Sequence, residues 1–226
     1  MIAWIVGASG TWGRAVTRDL LARGFDIVAL GRGDVPDLAA ETARLGQSWS
    51  FSHFDLETTD PAGIGAAAAD IEARAGGPDV LVVCAAVVGS DRETLARANY
   101  LVPAALIEAV AVAMGGRGSG RIGVFLAQNA RLGMRGLGDF SAAQGALWTW
   151  CEAFSAELAA GGRGVTLTRV IPPRAASATQ RWVSQQSGRS ARLHNPDPRR
   201  IVGAILAGKR RCGRRPLLAG LAMLVR

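Results

Sequence analysis

The chain has 226 residues, 49% apolar and 19% charged, a composition that suits one α/β domain with a full core and excludes wholesale disorder. Its net charge of +8 sits at one end: residues 181–226 carry 11 basic side chains and one acid, Asp197, whereas residues 1–180 carry 15 basic and 17 acidic ones. The longest apolar run is nine residues, 80–88, against the roughly 20 of a membrane-spanning helix, so no transmembrane segment is expected.

Along the chain, short apolar runs alternate with segments of helical period. Strands are expected at 2–6, 26–30, 49–54, 80–84, 122–126 and 165–171, and helices at about 12–23, 36–45, 61–75, 92–115 and 140–160. The alternation predicts an α/β fold over residues 1–226: a single Rossmann-type, doubly wound parallel sheet with helices on both faces. Right-handed crossovers then bring the carboxyl ends of all strands, and any ligand crevice, to one edge. Met1 leads straight into Ile2-Ala3-Trp4-Ile5-Val6 without a basic leader, so no signal peptide is expected. Three scattered cysteines (Cys84, Cys151, Cys212) fit a reducing cytoplasm; with only His53 and His194 beside them, no metal site is expected.

The first strand runs into Gly7-Ala8-Ser9-Gly10-Thr11-Trp12-Gly13 and a helix beginning near Arg14. Three glycines at a strand–helix junction let backbone N–H groups and the helix N-terminus meet a pyrophosphate. The second strand ends in Gly31-Arg32, where an acid would bind the ribose diol of NAD. The guanidinium of Arg32, with Arg14 as a second candidate, instead suits a 2′-phosphate, so NADP(H) is favoured over NAD(H).

Together with Asp55 in His53-Phe54-Asp55-Leu56, Asn99, the stretch 140–147, Glu157-Leu158 and Ile171-Pro172-Pro173, these segments resemble the short-chain dehydrogenase/reductase family, over the chain to about residue 205. The resemblance implies NAD(P)(H) binding, with Asp55 and Ala85 among the cofactor contacts, and hydride transfer between carbonyl and alcohol. It also implies a homodimer or homotetramer joined through the fourth and fifth helices. The family's catalytic serine, tyrosine and lysine correspond here to Ala127, Phe140 and Gln144, and Asn99 matches the fourth active-site residue. Phenylalanine has no proton to give, and glutamine carries no charge to depress a neighbour's pKa. The chain's one tyrosine, Tyr100, and one lysine, Lys209, form no Tyr-x-x-x-Lys in any register. Further departures are Val83-Cys84-Ala85-Ala86 for the family's Asn-Asn-Ala-Gly, Trp12 where a smaller residue lies near the nicotinamide, and Pro172-Pro173 for Pro-Gly.

For remaining chemistry, Gln128 and Asn129 offer an amide pair to polarise a carbonyl, Asp91 or His194 a base, and Gln144 a hydrogen bond to ribose hydroxyls. The segment 174–200 covers the substrate in the family; Trp182 and Val183 among Ser, Gln and Arg suit an aromatic or polyketide-like substrate, or an ordinary lid. Three functions follow: a repurposed enzyme performing a non-redox cyclisation, dehydration or isomerisation of a small substrate; a divergent NADP(H)-dependent reductase; or a non-catalytic partner of an active relative. Lys209-Arg210-Arg211 and Arg214-Arg215 read as a solvated loop or as a docking patch for an acidic partner. Without a helix-turn-helix, zinc finger or interleaved aromatics, nucleic-acid binding is not expected. The apolar stretch 216–225 reads as a core or subunit-contact helix, with a membrane-surface role as the alternative.

Overall fold

The computed structural model describes residues 1–128, 130–188 and 192–213; Asn129, Arg214-Arg215 and the stretch 216–225 lie outside them. Seven parallel strands form one sheet in the order β3-β2-β1-β4-β5-β6-β7. They are β1 (Ile2–Val6), β2 (Asp26–Gly31), β3 (Trp49–His53), β4 (Val80–Val83), β5 (Gly120–Phe125), β6 (Val165–Ile171) and β7 (Arg211–Gly213). The helices are α1 (Thr11–Leu21), α2 (Pro36–Arg44), α3 (Ile64–Ala75), α4 (Arg92–Ala96), α5 (Val102–Gly116), α6 (Gly138–Gly161), α7 (Ala178–Ser187) and α8 (Arg199–Leu206).

Alternation along each strand divides the core in two. Ala3, Ile5, Val80 and Val82 face α1, α2 and α8, whereas Trp4, Val6, Leu81 and Val83 face α3, α5 and α6. Both faces are covered, so the central strands read as continuous apolar runs, as parallel sheets require. The strand order reverses between β1 and β4, and that switch point opens the crevice beyond their carboxyl ends.

Besides helix α7, which no apolar period announces, two elements depart from expectation. Arg211–Gly213, read from sequence as part of a basic surface loop, is the edge strand β7, with Cys212 opposite Val170. A three-residue strand flanked by arginines has no period to detect. The helix expected at 92–115 is α4 and α5 joined by a π-helical turn, Arg97–Leu101. Pro103 causes it: the ring has no N–H for the carbonyl of Asn99, and the ladder widens there. The stretch Arg92–Gly116 is long and apolar enough to cross a bilayer. Here it is a core helix, burying Val102, Leu106, Ile107, Val110 and Met114 against the sheet and α3.

Candidate active-site crevice

The crevice is a cavity of about 600 Å³ running from Arg32 and Asp55 at one end to Met134, Phe140 and α7 at the other. Its floor at the switch point is set by backbone. Gly7 has φ +87°, and a Cβ on Gly13 would lie 1.9 Å from the Gly7 carbonyl oxygen, so helix α1 can approach β1 this closely only with glycine there. Gly10 caps α1 without a side-chain hydrogen bond, and its carbonyl accepts from Arg14 N–H at 2.8 Å. The first-turn N–H groups of α1 are thus directed toward the cavity that Gly7, Ser9, Gly10, Thr11 and Trp12 line. Thr11 donates its hydroxyl to the Ala176 carbonyl at 3.0 Å, tying the glycine turn to the segment after β6.

At one end Arg32 pairs with Glu57 at 3.0 Å, and Ser90 donates to the other carboxylate oxygen of Glu57 at 3.3 Å. Asp55 lines the cavity and accepts from the Glu57 N–H. Arg14 lies elsewhere: it pairs with Asp37 on α2 and donates to the Ser9 carbonyl, outside the cavity lining. Gly13 also stays outside the lining and acts through packing alone.

At the other end Phe140 is 1% exposed and meets Trp182 of α7 edge-on, with ring centroids 5.7 Å apart. Gln144, one turn along α6, is equally buried and accepts the Ala127 N–H at 2.9 Å through its side-chain oxygen. The amide's other polar group is its NH2, a neutral donor. Trp12 packs against Phe125 with centroids 5.9 Å apart and lines the cavity, while Ala85 sits against Gly7. Cys84 also lines it, and burial pushes its thiol far above the ordinary range, so it stays protonated.

Of the acid–base candidates read from sequence, none reaches the cavity. Asp91 is exposed and caps α4, accepting from Thr94 N–H and Thr94 Oγ1; the Thr94 bonds hold its carboxyl below the usual range, the wrong direction for a base. His194 is exposed beyond the lining, and its N–H donates to the Arg174 carbonyl. Asn99 is 1% exposed: its oxygen accepts from Val87 N–H, and its amide donates to the Val87 and Leu95 carbonyls. Gln128 lines the cavity and donates to the Pro172 carbonyl at 2.9 Å; Asn129 lies outside the described residues. No group of three or more metal-ligating side chains occurs among the described residues. Glu57 and Arg181 escaped the sequence reading, since neither belongs to a motif.

The profile of the short chain dehydrogenase family matches residues 1–188. The chain belongs to the short-chain dehydrogenase family. Among solved structures, a short-chain dehydrogenase from Streptomyces avermitilis is 21% identical, with 99% of this chain and 93% of that chain covered and a TM-score of 0.78. A Beutenbergia cavernae protein assigned as an NAD(P)-dependent gluconate 5-dehydrogenase, solved with bound NADP at low occupancy, is 24% identical over 92% of this chain and 89% of that one, also at 0.78. A further short chain dehydrogenase/reductase family protein is 26% identical over 92% and 88%, at 0.70. Among proteins of curated function, none matches the chain. The family is one of NAD(P)(H)-dependent dehydrogenases and reductases, and the seven-stranded fold is theirs.

Proposed function

We propose that this short-chain dehydrogenase relative holds NADP(H) in its crevice but does not reduce carbonyls by the family's side-chain proton relay, and that its chemistry is a non-redox cyclisation, dehydration or isomerisation of a small substrate. One observation carries the reading: Phe140 and Gln144, which the resemblance matches to the family's tyrosine and lysine, are buried at one end of the crevice, Phe140 packed on Trp182 and Gln144 bonded to Ala127.

The dinucleotide fits the first half of the site. A Cβ on Gly7 would meet Ala85 and one on Gly13 the Gly7 carbonyl, so glycine at both positions lets the turn pack tightly while Gly7, Ser9, Gly10 and Thr11 line the cavity with backbone. The turn at Gly7, Ser9, Gly10 and Thr11 would hold the pyrophosphate, Asp55 and Ala85 the adenosine side, and Arg32 a 2′-phosphate once released from Glu57. When bound, that group supplies a hydride donor or acceptor. At the other end this chain offers neutral donors, Gln144 and Gln128, which orient a ligand without moving a proton. A reaction driven by orientation and exclusion of water remains within its means.

A second reading, a non-catalytic ligand-binding subunit, is favoured by the ionisable groups lining the cavity. Among the described residues they are Arg32, Asp55, Cys84, Arg174 and Arg181, and none at the Phe140 end is a base at neutral pH.

The test is a calorimetric titration with NADPH and NADH, followed by an absorbance assay with a panel of aldehydes and ketones. NADPH binding without its oxidation is the expected result. Absence of binding at millimolar NADPH removes the cofactor from the proposal, and steady NADPH oxidation replaces it with a divergent reductase that takes its proton from substrate or water. Turnover of a pathway substrate without net redox change separates the repurposed enzyme from the binding subunit. Self-association through α5 and α6 is also proposed, on the partly exposed stack of Trp150 and Phe154 and the exposed Leu101 and Val112. Light scattering of the purified chain checks it.

A further inference from the structure

The charges lining the cavity are unevenly matched. At the Arg32 end the cation has an acid, Glu57, and Asp55 lies beside it. At the Phe140 end Arg174 and Arg181 line the cavity, no carboxylate lines it with them, and neither guanidinium has an acidic partner within ion-pair distance among the described residues. All 18 acids of the chain fall within the described residues, so none is left to fill the gap. Arg174 leaves β6 and is half-buried; Arg181 stands on α7, whose first turn opens into the same end. Around them the wall is apolar, formed by Val87, Met134, Phe140, Pro173 and Val183.

We propose that the second ligand of this crevice is an anion with an apolar or aromatic body, its carboxylate or phosphate held between Arg174 and Arg181 and its body laid against Phe140 and Met134. The inference rests on the crevice being the ligand site, not on the dinucleotide being bound. Two unmatched guanidiniums above apolar wall form a recognition pair for a planar or tetrahedral oxyanion, because arginine donates in a fork and its charge cannot be relieved by deprotonation. The arrangement also gives α7 a role. An anion bridging Arg174 and Arg181 would link the helix to the end of β6 and close the lid over the ligand.

The experiment is calorimetric titration of the full chain, without dinucleotide, with 1-naphthoate, 1-naphthyl phosphate and the neutral 1-naphthamide. Either anion is expected to bind at least about tenfold more tightly than the amide, and the tighter of the two identifies the headgroup. Arg174→Gln and Arg181→Gln should each lower anion affinity several-fold while leaving the amide unchanged, and rising salt should weaken the anions alone. Circular dichroism controls for folding; should either variant fail to fold, the salt series on the unaltered chain decides. Equal binding of amide and anions overturns the proposal. So does a pair of folded variants that weaken NADPH but not the naphthyl anions, which would assign the arginines to the dinucleotide's pyrophosphate. Because no cofactor is present in the first titrations, failure here is distinct from failure of NADPH to bind.

Discussion

The two halves of the crevice share one sheet edge yet are built from different material. The half around Gly7, Gly13 and Asp55 is shaped by backbone: a positive φ, a helix seated against a carbonyl and the first-turn N–H groups of α1. The half around Phe140 is shaped by side chains: Trp12 on Phe125, Phe140 on Trp182, Gln144 on Ala127. Backbone recognition of a phosphate survives many substitutions, because every residue supplies an N–H. Proton chemistry depends on single atoms and disappears with them. On the proposed reading, the chain keeps the fold and the dinucleotide cradle of its family while the reacting end becomes something else.

The largest expected effect lies in the backbone half. In Gly13→Ala the added methyl would sit 1.9 Å from the Gly7 oxygen, with the Gly7 carbonyl carbon and Ala8 Cα within 3 Å, so α1 must move away from β1. Overpacking of this kind costs about 1–3 kcal/mol, and the displaced helix end should lower dinucleotide affinity at least about tenfold. Thermal denaturation with NADPH titration checks both. Unchanged affinity would mean that this half is a tight turn and nothing more.

Restoring the family residues tests the side-chain half. Gln144→Lys removes the acceptor of the Ala127 N–H and places an ammonium at a position 2% exposed, so it should cost about 1–3 kcal/mol for the unmet N–H alone. Phe140→Tyr adds a hydroxyl to a ring that Trp182 meets edge-on, and Ala127→Ser adds a second beside residue 144. The triple variant is expected to be less stable and to gain no carbonyl reduction. Appearance of NADPH oxidation would show an intact redox site awaiting three side chains, and the contrast between the halves would collapse.

What the sequence revealed follows the same division. The strands and the glycine turn were legible because apolar runs and glycine spacing are local signals. The residue types at 127, 140 and 144 are read directly from the chain, and their match to the family's serine, tyrosine and lysine belongs to the proposal. Asp91 and His194 were not legible: an acid before a helix reads equally as a base or as a cap, and only the two Thr94 bonds decide for the cap. The position of Asn99 was legible from the resemblance, but the three bonds of its amide to backbone were not. Edge strand β7 and helix α7 went unread for a related reason. Both are short and polar, and α7 has no buried residue to mark a face.

Trp182→Ala gives a smaller effect. Losing an edge-on aromatic contact should cost about 0.5–1.5 kcal/mol beyond the lost area, and it uncovers Phe140. Aromatic anions should bind more weakly while NADPH affinity holds. A loss of NADPH binding would instead show that α7 serves both halves, which the Thr11–Ala176 bond across the mouth makes the natural alternative.

The smallest expected effect is Glu57→Gln. Glu57 holds Arg32 at 3.0 Å, and the side chain of Arg32 is 70% exposed, so the pair is a solvent-screened one and its rupture is inexpensive. A 2′-phosphate and the Glu57 carboxylate nevertheless compete for the same guanidinium and repel each other. Neutralising Glu57 should tighten NADPH by about two- to fivefold, the range that an exposed ion pair of up to ~1 kcal/mol allows. NADH, lacking the phosphate, should be unaffected, and the gain should shrink in high salt. Equal tightening of both would place the effect in the Ser90 bond to Glu57 and the loop it steadies, and Arg32 would lose its part in choosing between the two dinucleotides.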